Sequence, residues 1–150
     1  MARIRILLAL AVAICAIGAF GSAAATASSP QEKMMKKVND YRKKHGLHRV
    51  KFSSSLKHSA GRYARYMMKH HYFGHQSRIH ASSKYRRLGE ILEYQRGGSN
   101  VSLAFHTWLR SGPHRDIILD RNFKYAGAGL AHGQYRGHYS TFWVMHFGRP

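Results

Sequence analysis

The sequence has a single cysteine, Cys15, and it sits inside the leading apolar run. An exported chain that loses this run keeps no disulfide framework and no zinc–thiolate site. Its stability must come from a packed core. Acids are scarce as well, with 6 Asp and Glu against 25 Lys and Arg. Such a field favours anionic partners over cationic ones. The longest apolar run, Ile6 to Phe20, falls short of the ~20 residues of a comfortable membrane span. No RNA-recognition aromatic motif, zinc finger or basic zipper occurs, so sequence-specific nucleic-acid binding is not expected. There is no internal repeat, and no residue stands in a pattern that would activate it as a nucleophile.

What is present begins with a leader. Arg3 and Arg5 precede the apolar run, and Ala25-Thr26-Ala27 supplies a small-x-small cleavage pattern. Met1 to Ala27 therefore reads as a secretory signal, with an uncleaved membrane anchor as the alternative. Ile14 before Cys15 is too bulky for a lipoprotein signal. The 123 residues from Ser28 to Pro150 have the size of one domain. Without Arg3 and Arg5 they hold 23 Lys and Arg against 6 Asp and Glu, a net charge of +17. Outside the cytoplasm the anionic partners are envelope polymers, lipid headgroups or released nucleic acid. The alternative is a solvated basic surface with no dedicated partner. The expected location is secreted, or retained at the cell envelope.

Helical spacing predicts a first helix over Pro30–His45, with Met34, Val38 and Tyr41 inward and Gly46 as its stop. A second runs over Ser53–His71, capped by Ser53 or Ser54, with Leu56, Ala60, Tyr63, Ala64 and Met67 as its buried stripe. Small residues at 60, 61 and 64 imply close approach of another element. Gly74 ends the helical run, so His71 and His75 share the spacing of a helical metal pair but not its backbone. The polar stretch 77–88 suggests a short helix near Tyr85, and Gly89–Tyr94 a turn leading into a short extended piece. Glu90 lies beside apolar residues. If buried it needs a histidine, arginine or metal partner, and if exposed it pairs with local arginines.

A third helix, capped by Ser99 or Asn100, carries Val101, Ala104, Phe105, Trp108 and Leu109 and ends at Ser111-Gly112. Pro113 then opens a short fourth helix. His114 falls in its first turn, where the helix dipole favours the neutral imidazole. The plain alternative is that His114 only caps or packs. Beyond Asn122 the period changes. Tyr125–Ala131 reads as a buried strand and His132–Gly137 as a connection. His138–Phe147 alternates, with Tyr139, Thr141, Trp143, Met145 and Phe147 on one face. Helices first and a hairpin last give an α+β layout.

In this order, Tyr41–Leu47, Phe73-Gly74-His75, Gly89-Glu90, the block WLRSGPHRDIIL (Trp108–Leu119) and Phe142–Gly148 resemble the bacterial branch of the CAP superfamily, the SCP or pathogenesis-related-1-like domain. The resemblance implies a three-layer α-β-α sandwich with an antiparallel sheet and an open cleft. It puts His75, Glu90 and His114 at cleft positions. Some members bind a divalent metal there, which makes His75 and His114 candidate ligands for Zn²⁺ or another divalent ion. Ile91 departs from the family's asparagine after the glutamate, and Ser111 stands where many eukaryotic members have an acid. Phe142 falls near the eukaryotic strand histidine, and His138 matches it only in another register. Two functions stay open. One is a binding protein with a basic surface for anionic or amphipathic envelope ligands. The other is a hydrolase, with or without zinc, using Glu90 as catalytic base beside His75 and His114. A cationic membrane-permeabilising protein is a third reading.

Overall fold

In a computed structural model of the chain, residues 27–150 are described. Apart from Ala27, the expected export signal lies outside the described residues. Among them, no helix is long and apolar enough to cross a membrane.

Helix α1 (Pro30–Lys44) starts with a capping box. Ser29 accepts from the Glu32 backbone, and the Glu32 side chain accepts from the Ser29 backbone. Gly46 follows at φ +69°, the left-handed stop that glycine tolerates. A two-residue strand β1 (Lys51–Phe52), which the sequence did not suggest, leads into α2 (Ser54–Lys69), capped by Ser53. The stretch before the next strand forms no helix at Tyr85. Tyr85 is buried with its hydroxyl donating to Ser53 Oγ, and Ser82 N–H donates to Ser55 Oγ. These side-chain ties hold the stretch against α2 in place of a helix.

Strand β2 (Arg87–Arg96) is longer than expected, and Gly89 lies within it, not in a turn. A side chain at Gly89 would strike the Phe123 ring at 2.7 Å. Helix α3 (Val101–Arg110) is capped by Asn100, and α4 (Gly112–Leu119) follows at once. Strands β3 (Tyr125–Tyr135) and β4 (His138–Arg149) are joined by Arg136 and Gly137 alone, at φ 50° and 77°. Both positions are left-handed, as a tight two-residue hairpin requires. The broad connection expected over 132–137 is therefore mostly strand.

The sheet order is β1-β3-β4-β2, antiparallel except that β1 runs parallel to β3. Its two faces bury different things. One face meets α1, α3 and α4 through Met34, Val38, Phe105, Trp108, Trp143, Met145 and Phe147. The other meets α2 through Ala60, Ala64, Met67, Leu92, Phe142 and Val144. The small residues of α2 let backbones nearly touch. A Cβ on Gly129 would lie 2.2 Å from the Gly61 nitrogen, and one on Gly127 2.2 Å from the Lys57 nitrogen. The result is the expected α+β three-layer sandwich, with α2 as one layer and three helices as the other.

Candidate functional site

Strand register assembles the centre of the site. Glu90 on β2 and His146 on β4 are cross-strand partners, so their side chains leave the same face side by side. His146 Nε2–H donates to Glu90 Oε2 at 2.9 Å. The segment after α2 folds back over the pair. His75 Nδ1–H donates to Glu90 Oε1 at 2.9 Å, and Gln76 adds its backbone N–H to Oε1 and its side-chain amide to Oε2 at 2.6 Å. Tyr63 donates its hydroxyl to the Gly74 carbonyl, which fixes the start of this segment to α2.

Glu90 is 7 % exposed. Burial alone would raise its pKa, but hydrogen bonds from His146, Gln76 and His75 outweigh that and hold it below the usual carboxylate range. It is an ionised acceptor with both oxygens occupied. The same charge, added to burial, pushes the Tyr63 hydroxyl well up. Because His75 commits Nδ1–H to Glu90, Nε2 is the ring nitrogen left without a bond to Glu90. Its side chain is 57 % exposed, so the ring is open to solvent.

His114 enters from the other layer. Its ring centroid is 6.1 Å from that of His75. Burial first, and the neighbouring His75 second, lower its pKa, so it stays neutral. The direction is the one expected, with burial and a neighbouring imidazole as causes. Ser111 gives α4 no side-chain cap. Arg42 holds the far end of α4 instead. This guanidinium is 1 % exposed and donates to the carbonyls of Ile118, Asp120, Phe123 and His48. It clamps α1 to the end of α4, and Asp120 is further held by Arg87 at 2.7 Å.

The structure therefore brings His75 and Glu90 into contact and sets His114 beside His75. His138 lies at the hairpin tip, eight residues along β4 from His146, roughly 27 Å away at ~3.4 Å per residue. Sequence reasoning missed His146 and Gln76. A signal for His146 existed. It alternates with Phe142 and Val144 on a central strand, and a histidine buried there needs a polar partner. Gln76 had no such signal, since only the fold of the loop puts it on Glu90.

As a metal centre the arrangement is incomplete. Among the described residues no group of three or more His, Cys, Asp or Glu side chains is placed to hold a metal ion. Glu90 is saturated by donors, which leaves His75 and His114 as two imidazoles without a third ligand. A three-ligand metal does not fit the side chains as they stand.

A sheet covered by α2 on one side and three helices on the other, with a His–Glu–His cluster at one end, defines an SCP-type sandwich. The family model described as Cysteine-rich secretory protein family, CAP, matches residues 35–147, and the chain belongs to that family. It does so without a cysteine in the matched region. The uncharacterized protein YkwD of Bacillus subtilis is 29 % identical over 133 residues, covering 84 % of this chain and 49 % of its own. The uncharacterized membrane protein YlbC of the same organism is 24 % identical over 123 residues, covering 77 % and 36 %. The chain thus spans about a third to a half of these relatives. Among solved structures, an outer surface protein of Borrelia burgdorferi superposes with a TM-score of 0.64 at 17 % identity, covering 79 % of this chain and 90 % of that one. An extracellular SCP-domain protein of Bacillus anthracis gives 0.60 at 22 % identity, covering 81 % and 40 %. At these identities the superpositions speak for the fold alone.

Proposed function

We propose that this chain is an exported CAP-domain binding protein that recognises anionic or amphipathic ligands of the cell envelope, through its basic surface and the His75–Glu90–His114 cleft. The observation that carries the reading is the saturation of Glu90. A carboxylate with four hydrogen bonds from three residues is a structural hub that fixes the cleft wall. The formal net charge of +19 supports an anionic partner, and the apolar leader supports export. The test is binding to phosphatidylglycerol vesicles and to a polyuronate over a range of salt. Binding that weakens steeply with salt is expected. Salt-independent binding, or none, overturns it.

A hydrolytic reading is favoured by one observation. His75, oriented by an ionised carboxylate, has the form of a general base, with neutral His114 beside it at 6.1 Å between ring centroids. In this reading the proton-accepting atom is His75 Nε2, and Glu90 orients the ring without taking the proton itself. A divalent ion would have only His75 and His114 as ligands, so no step is assigned to one. Turnover of a peptide, ester or glycan that disappears in His75→Ala would establish this reading, and a blank screen removes it.

A further inference from the structure

Beside the histidine cluster lies a cleft of about 310 Å³, between one flank of α2 and residues 76–80. Ser59, Arg62, Tyr63 and Tyr66 line it from one stripe of α2, and Gln76 and Arg78 close the opposite wall. Its chemistry is uneven in an informative way. Tyr63 and Tyr66 lie nearly parallel, 13° apart with centroids at 6.2 Å, and Tyr66 remains 53 % exposed. Polar groups stand on both walls, with Arg62 on the same stripe as the tyrosines. Arg62 spends one N–H on the His80 carbonyl, at 2.9 Å, which fixes the guanidinium and leaves its other donors free. Among the described residues neither Arg62 nor Arg78 has a carboxylate partner; the ion pairs engage Asp40, Glu90 and Asp120 elsewhere. The Gln76 amide nitrogen lies against Glu90 and His146, and among the described residues no donor reaches its amide oxygen.

We infer that this cleft binds the acidic sugar unit of an envelope glycan. The sugar ring lies on Tyr66, its phosphate or carboxylate sits between Arg62 and Arg78, and a ring hydroxyl donates to Gln76 Oε1. A guanidinium pair matches either anion through parallel N–H donors. An exposed aromatic face with guanidinium and amide groups around it suits a ring that is apolar on its face and hydroxylated at its edge. Gln76 joins this cleft to the Glu90–His146 pair, so a ligand here touches the same residue that holds Glu90. The inference rests on the envelope-ligand reading and gives it a site and a ligand class.

The folded protein is titrated with glucose 6-phosphate, galacturonic acid, glucose, inorganic phosphate and AMP, followed by amide chemical shifts. At least one acidic sugar is expected to bind about tenfold more tightly than glucose or phosphate alone. Which of the two binds distinguishes phosphate from carboxylate. Arg78→Ala, which removes a side chain with no hydrogen bond or ion pair among the described residues, and Tyr66→Ala are each expected to weaken binding by about tenfold. Lys33→Ala/Lys37→Ala, in the separate groove beside α3, is expected to leave it unchanged. Failure of both acidic sugars to bind more tightly than glucose and phosphate, tighter binding of AMP than of either, or full binding by both cleft variants overturns the inference. If the cleft variants still bind polyuronate as the parent does, this site falls while the surface reading stands. If the parent binds no polyuronate at all, the broader reading falls with it.

Discussion

Glu90 and Glu93 lie on one strand, point to opposite faces of the sheet and are buried alike, at 7 % and 5 % exposed, yet their titrations move in opposite directions. Glu90, on the α2 face, is held low by His146, Gln76 and His75 despite its burial. Glu93, on the face of the large aromatics, is pushed up to about 7 by burial, opposed only by a 3.3 Å bond from Gln95. Its cross-strand partner Trp143 leaves its own indole N–H unpaired. The difference lies in the number of donors, since depth of burial is matched. A buried carboxylate stays ionised where the chain folds donors over it, and drifts towards the protonated form where it meets hydrocarbon.

The largest way to break the contrast is at the glycines that let α2 lie on the site face. Gly129→Val drives a side chain into the Gly61 backbone and is expected to cost more than ~4 kcal/mol, seen as loss of cooperative unfolding in denaturant. Glu90→Gln comes next. It replaces a charged acceptor by an amide facing three donor residues and is expected to cost about 3 kcal/mol at neutral pH, by urea titration. A loss as small as that of a surface pair would mean that Glu90 is not the hub described.

Glu93→Gln sharpens the comparison through pH. A carboxyl raised from 4.5 to about 7 binds protons in the fold that it releases when unfolded. Stability from this group is thus full below pH 4.5 and declines as pH rises to about 7, by on the order of 3 kcal/mol. Glu90 has the opposite sign, its contribution being lost as pH falls through its lowered folded pKa. Thermal melts between about pH 5 and pH 8 are expected to lose most of the alkaline decline in Glu93→Gln and to keep it in His75→Ala. The smallest effect belongs to His75→Ala, whose exposed ring contributes under ~1 kcal/mol to stability. Its loss is expected to register in cleft binding, measured by titration, with almost no change in melting.

Much of the fold could be read from spacing. The α2 stripe of Leu56, Ala60, Tyr63, Ala64 and Met67 is buried as its period implied, and the small residues do mark a close approach, here to β3. Helix stops and starts at Gly46 and Pro113 were legible because glycine and proline act on their own backbones. The stretch around Tyr85 was misread as helical because its hydrogen-bond partners, Ser53 and Ser55, lie some thirty residues earlier. Of the site, Glu90 and His114 drew notice from local pattern, and the family motifs grouped them with His75. His146 stayed hidden because the aromatic face of β4 carries the stronger pattern, and the histidine alternates on the other face.

The amino-acid sequence alone determined the helices, the hairpin and the basic surplus, because periodicity, capping and charge act locally or additively. It also marked Glu90 as a carboxylate in need of a partner. Only the tertiary structure decided what Glu90 does. Antiparallel register set His146 across from it, the fold of residues 74–76 laid His75 and Gln76 on its oxygens, and Arg42 fastened the helix that carries His114. A carboxylate's protonation depends on which donors come within about 3 Å of it. Here those donors come from a loop and a strand that stand 70 residues apart in the chain. The same packing gave Glu93, three residues on, a single amide and a wall of hydrocarbon.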